Sequence, residues 1–193
     1  SIALKTLGYE AISLTGAQAG IRTSGHYMKN KIDDINGDVI KGHLNEGKIV
    51  VVAGFQGVNK DGDVTTLGRG GSDTSAVALA AALGGKCEIY TDVDGIYSID
   101  PRVYSDAKKL PYISYDEMME LAYLGAGVME PRAVELGGKY EVEIYVGKSL
   151  GEKNGTIITS IQKIKEIKEM EEKVITGVSI NENILMVNVE EIP

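Results

Sequence analysis

A glycine-rich turn that opens into a run of small apolar residues limits how this chain can fold more than any other feature. Gly68-Arg69-Gly70-Gly71-Ser72-Asp73 leads into residues 76–83, all Ala, Val or Leu, and Gly84-Gly85 closes the run. A helix that is apolar all round is a buried helix. Ser72 is placed to act as its N-cap and Asp73 to meet the positive end of its dipole. At residues 48–53 a continuous β-branched run reads as a strand buried on both faces of a parallel sheet. Further strands are expected at 10–15, 86–91, 141–146 and 156–158, with a tight turn at Asp61-Gly62 between Val58 and Val64. Helical patterns occupy 39–46, 115–124 and 131–136, the last opened by Pro131 in its first turn. Strands alternating with helices predict an α/β fold with a mostly parallel sheet.

Composition narrows the function. Twenty basic against 28 acidic residues give a net charge of −8, with no basic cluster, which argues against a nucleic-acid partner. The longest apolar run is far shorter than the ~20 residues of a membrane span, so no membrane role is expected. No basic leader with a cleavage site opens the chain. The single cysteine, Cys87, forms no internal disulfide, fits a reducing cytoplasm and reads as a small buried residue. His26 and His43 lie in polar stretches expected to be exposed, and neither has partnering ligands for a metal. Lys86, after Gly84-Gly85, reads as a helix-end cation. Glycine is in excess, 24 of 193 residues against a usual ~7%. Beyond residue 160 the composition changes: Ile161, Ile164, Ile167 and Met170 form a stripe in a charged connector, helical or extended. Two β-prone runs follow at 174–180 and 184–189, the opening of a second domain, because two strands alone are marginal in water.

Two segments carry chemistry. In the Gly68–Asp73 turn, bare glycines let a ligand approach the backbone, and the first helical amides favour an anion. Arg69 adds a planar fork for a carboxylate or phosphate, Ser72 a hydroxyl, and Asp73 a carboxylate that can hold a cation. The pattern is neither a Walker A loop nor a dinucleotide fingerprint, since no Gly-Lys-Ser/Thr follows and Asp73 stands where a third glycine is required. The second segment, residues 91–102, follows directly after a strand, at the edge where open parallel sheets collect ligands. There Thr91 and Asp92 are placed to bond a ribose or base, Tyr97 to pack on a ring, and Arg102 to meet a phosphate. Asp92, Asp94 and Asp100 do not make a calcium loop, because its central glycine and terminal glutamate are missing.

Gly54-Phe55-Gln56-Gly57, Thr66 to Asp73, and Thr91-Asp92-Val93-Asp94-Gly95-Ile96-Tyr97 with Asp100-Pro101-Arg102 closely resemble aspartokinases. Ser114 to Met118, Pro131 to Glu135 and Gly155-Thr156 extend the resemblance over nearly all of residues 1–160. It implies a three-layer α/β/α amino-acid-kinase fold with a mostly parallel central sheet, present in part, followed by the first strands of an α+β ACT domain. The implied divisions are 1–160 for the nucleotide-binding half of the catalytic domain, 161–173 for a linker and 174–193 for the start of the ACT region. The implied activity is ATP-dependent phosphorylation of the side-chain carboxylate of L-aspartate to 4-phospho-L-aspartate, first step of lysine, threonine and methionine biosynthesis, with ATP and Mg²⁺.

By the same resemblance Arg69 clamps the substrate carboxylate beside Ser72 and the Gly70 and Gly71 backbone, and Asp73 orients the lysine that neutralises the transferring phosphoryl. Thr91, Asp92, Tyr97 and Arg102 hold the nucleotide. Partners implied are a second copy through the ACT regions and an amino-acid effector, lysine or threonine. The Lys-Phe-Gly-Gly phosphate loop of the family does not occur in residues 1–193, so this polypeptide alone is expected to be inactive. Gly127 stands where many relatives carry a lysine near the nucleotide, and Glu130 where many carry a histidine. The alternatives are another member of the superfamily, such as a uridylate kinase, and a non-catalytic regulatory or binding subunit.

Overall fold

The computed structural model describes residues 1–26, 30–150, 153–167 and 176–180. In chain order its first half runs α1 (Ile2–Thr6), β1 (Ala11–Leu14), β2 (Ile21–Ser24), β3 (Lys31–Ile35), α2 (Asp38–Asn45), β4 (Ile49–Val52), β5 (Gln56–Val58), β6 (Val64–Thr66) and α3 (Gly71–Leu83). Then follow β7 (Cys87–Thr91), β8 (Ile96–Tyr97), β9 (Lys109–Leu110), β10 (Tyr112–Ser114), α4 (Tyr115–Tyr123), α5 (Pro131–Tyr140), β11 (Ile144–Lys148), β12 (Thr156–Thr159) and α6 (Ile161–Ile167). The result is a mixed α/β fold containing parallel strand pairs. β1 pairs with β4, β2 with β5, β7 with β11 and β10 with β12, all parallel. Antiparallel pairs join β2 to β3, β5 to β6, β11 to β12 and β8 to β9.

Two apolar clusters hold these layers, and α3 belongs to both. Val77 and Ala80 pack into the larger one, with Met118, Val134, Ile144, Val146 and Ile158 from α4, α5, β11 and β12. Leu79 and Leu83 pack into the smaller one, around Leu14, Ile21 and Ile40. A helix wedged between two cores has no polar face to show. That is why 76–83 carries no amphipathic stripe. Full burial of an aliphatic side chain such as Val77 contributes about 1.5–3 kcal/mol.

Several expectations change. Ser72 is not the N-cap of α3: Gly70 is, in the left-handed region at φ +65°, and no side chain caps the helix. Glycine starts the helix two residues earlier because it alone adopts that turn freely. β4 does pair in parallel, but Ile49 and Val51 remain 39% and 38% exposed, so it is not covered on both faces. α5 does not stop at Leu136. Gly137 and Gly138 bring it against Ile144 and Tyr115, where a Cβ on Gly137 would lie 2.7 Å from Ile144 Cδ1. The helix therefore continues to Tyr140, Glu141 ends it at φ +55°, and the strand begins only at Ile144. His43 is half-buried rather than exposed. Lys86 pairs with Glu143 at 2.6 Å instead of serving the end of α3. The connector is helical over Ile161–Ile167 with Ile164 buried. Met170 and residues 181–193, including the second β-prone run, lie outside the described residues. Among the described residues no helix is long and apolar enough to cross a membrane.

Candidate active site

The turn between β6 and α3 is built from backbone constraints. The Leu67 N–H donates to the Phe55 carbonyl at 3.0 Å, and the Gly71 N–H to the Gly68 carbonyl at 3.1 Å. Phe55 itself sits at φ +68°, costly for a residue with a side chain. Its N–H is held by Ser75 Oγ at 2.9 Å, while that hydroxyl donates to the Gly71 carbonyl at 2.6 Å. Thr74 ties its N–H and its hydroxyl to the Gly70 carbonyl. Gly71 has no space for a side chain: a Cβ would lie 2.8 Å from both Leu67 Cβ and Phe55 Cδ2. With the Gly71 N–H turned onto Gly68, the Ser72 and Asp73 amides of the first turn lack intrahelical partners, and no side chain caps them. Beside them Arg69 is exposed, and among the described residues its guanidinium has no hydrogen bond or ion pair. A free planar cation and unused amides on one glycine turn make an anion receptor.

Asp73 lies half-buried in the first turn of α3. Burial raises its pKa above the ordinary carboxylate value, opposed by bonds from the Ser72 hydroxyl, at 3.4 Å, and the Glu130 backbone N–H. Glu130 precedes α5, and its side chain rests on Gly70, where an added Cβ would lie 2.3 Å from Glu130 Cγ. It therefore belongs to the Gly70 turn and not to the segment after β7. Two residues on, Arg132 donates to the Leu67 carbonyl at 3.1 Å and to the Asn30 carbonyl at 2.9 Å.

The second segment follows β7, which packs against α3 after the Gly84-Gly85 turn. α3 is 13 residues long and rises about 20 Å. The Gly84-Gly85 turn then reverses the chain, and β7 returns along the helix. Asp73's charge is felt at the Cys87 thiol, which burial first, then Asp73 and Glu88, push up to about 11, leaving it unreactive. β7 ends at Thr91, whose hydroxyl donates to Asp92 Oδ1 at 2.9 Å, with Asp92 exposed. Ser149, following β11, bonds the Thr91 carbonyl. Tyr97 keeps a half-buried ring, but its hydroxyl is committed to Asp94 at 3.1 Å. Arg102 is 89% exposed and forks onto Asp100, 2.6 Å at the shortest, so a phosphate would have to share it with that carboxylate. Among the described residues no hydrogen bond or ion pair joins the Arg69–Asp73 set to the Thr91–Arg102 set.

A model of the amino acid kinase family matches residues 1–148. The chain belongs to that family. An aspartokinase of Bacillus sp. (strain MGA3) is 51% identical over 194 residues, covering 100% of this chain and 46% of that protein. Among solved structures, E. coli aspartokinase III in complex with aspartate and ADP, described as the R-state, superposes with a TM-score of 0.75 at 34% identity, over 81% of this chain and 36% of that one. The same enzyme with lysine and aspartate, the T-state, gives 0.70 at 32% identity, again over 81% and 36%. The chain spans about half the length of the curated relatives it matches.

In this member of the amino acid kinase family, sequence reasoning singles out Arg69, Ser72 and Asp73 but misses the residues that hold their turn. Phe55 enters through a positive φ and Asn30 through burial, neither of which sequence displays. Asp94 and Lys109 were also missed as a pair. Burial raises the Asp94 pKa, but bonds from Lys109 and Tyr97 and the Lys109 charge outweigh it, so the net direction is downward. Lys109 also reaches Asn154 Oδ1 at 3.0 Å, bridging the β9 and β12 ends of the second segment. Asp-Gly-x-Tyr marked this segment as a turn, and only the fold supplies the lysine.

Proposed function

We propose that this chain is the C-terminal portion of the kinase domain of an aspartate kinase, which transfers the γ-phosphoryl group of ATP to the side-chain carboxylate of L-aspartate. Residues 1–160 form the nucleotide-binding half, 161–173 a linker and 174–193 the start of an ACT region. Arg69 takes a substrate carboxylate, with Ser72 and the Gly70 and Gly71 backbone beside it. Asp73, pointed at the same turn, orients a lysine at the transferring phosphoryl. Thr91, Asp92, Tyr97 and Arg102 hold the nucleotide. A carboxylate is already a sufficient nucleophile, so the protein's task is to bring two anions together and offset their repulsion.

Among the described residues no group of three or more His, Cys, Asp or Glu is arranged to cage a metal. Mg²⁺ would be carried on the phosphate oxygens of ATP, since magnesium keeps its waters and needs only one or two carboxylates. When bound, the ion neutralises phosphate charge. The E. coli relative crystallised with aspartate and ADP supports both ligands, and the one crystallised with lysine supports lysine as an effector. Pairing of two copies through the ACT region and a cytoplasmic location complete the reading.

The unpartnered Arg69 guanidinium beside uncapped helix amides carries this proposal. Replacing it with alanine in the complete gene product removes a charged hydrogen-bond partner, a loss of about 1.5–3 kcal/mol. The aspartate KM, followed by aspartate-dependent ADP formation, should rise roughly 10- to 100-fold. An unchanged aspartate dependence would overturn the assignment.

A further inference from the structure

We infer that Arg132 is a positioning residue that sets the shape of the Gly68–Gly71 anion receptor from α5, the helix across from it. The inference rests on the reading of that turn as the aspartate site. Gly68 and Gly70 both sit at positive φ, +78° and +65°, and glycine there resists no alternative conformation. A receptor made of such residues needs its ends held. On the α3 side, Thr74 and Ser75 hold the Gly70 and Gly71 carbonyls. On the β6 side the last residue held from outside the turn is Leu67: its N–H goes to Phe55, and its carbonyl, next before Gly68, takes an N–H from Arg132.

The other arm of the guanidinium goes to the Asn30 carbonyl, and Asn30 is no free surface residue. It is 1% exposed, its N–H donates to the Thr66 carbonyl, and its side-chain amide donates to the His26 carbonyl at 2.7 Å. Arg132 therefore braces the strand end at two adjacent places, through Leu67 directly and through Thr66 by way of Asn30. The same turn of chain brings Glu130 against Gly70. A planar fork sends two N–H groups in fixed directions from separate nitrogens, whereas a lysine's donors all converge on one nitrogen and leave the two carbonyls less firmly placed. Arg132 touches no substrate atom; it acts on aspartate through the main chain of the turn.

The test is steady-state kinetics on the complete gene product with Arg132→Met, which keeps the aliphatic stem, and Arg132→Lys, with Arg69→Ala as reference. Arg132→Met should raise the aspartate KM about tenfold, the scale of a lost charged hydrogen bond, while the ATP KM moves less than about twofold. Arg132→Lys should fall between Met and the parent. Should the Met variant not fold, the Lys variant decides by the same split between the two KM values. Parallel rises in both KM values, or an unchanged aspartate KM in folded protein, would overturn the inference. If Arg69→Ala loses aspartate affinity and the Arg132 variants do not, only this inference fails. If aspartate dependence is indifferent to all three substitutions, the aspartate reading fails with it.

Discussion

Burial sets the Asp73 carboxylate against the stability of its own helix. Because burial raises its pKa in the folded protein, that state binds more protons than the unfolded chain over the interval between the two values. Stability contributed at this position is therefore greatest in acid and falls as pH rises through that interval, leaving a constant penalty above it. Asp73→Asn removes the charge and keeps an oxygen for the Glu130 N–H. Calorimetry should find Asp73→Asn with a higher Tm than the parent at neutral pH, the gap closing as pH is lowered into the carboxylate range. Turnover should fall at the same time, the familiar exchange of stability against a functional charge. A lower Tm for the Asn variant at neutral pH would mean that the ionised carboxylate is stabilising after all.

The two ends of α3 show how one backbone conformation serves different purposes. Gly70 begins the helix at φ +65° and Gly84 ends it at φ +70°. At Gly84 nothing lies within 4 Å of an added Cβ, so alanine there meets only the left-handed penalty of about 1–2 kcal/mol. At Gly70 the same penalty is joined by contact with Glu130 Cγ and Cβ at 2.3 and 2.5 Å. Urea unfolding should thus rank Gly70→Ala as more destabilising than Gly84→Ala, and equal losses would show that the Glu130 side chain swings away without cost. The helix's place was readable from 76–83 and the glycines around it. Its cap was not, because Ser72 is as good an N-cap by composition as Gly70 is by geometry.

Residues 176–180 lie against elements more than 50 positions upstream. The Thr176 hydroxyl bonds Glu117, the residue that closes the capping box of α4 with Ser114. The Val178 N–H donates to the Ser98 carbonyl at 2.6 Å, and the Ser179 hydroxyl to the Leu124 carbonyl at 2.9 Å. This segment thereby ties the loop after β8 to helix α4. Val178→Pro deletes the donor while removing a side chain that is 52% exposed, so little core packing is lost. Hydrogen exchange at the Ser98 amide, which bonds the Lys108 carbonyl, should quicken in that variant. An unaltered rate would show that the downstream segment does not brace the loop.

Local chemistry along the chain determined the α/β alternation, the buried character of residues 76–83, the hairpin at Asp61-Gly62 and the glycine turn that carries Arg69, because period, turn residues and side-chain charge are properties of neighbouring positions. Tertiary structure alone decided that α5 runs on through Gly137 and Gly138, that Phe55 takes a positive φ, and that Arg132 reaches Leu67 and Asn30. The last depends on surfaces that meet across 65 and 102 positions of sequence, and the other two on contacts with Tyr115 and Ser75 on separate elements. No local pattern encodes them, since each is fixed by the partner it finds.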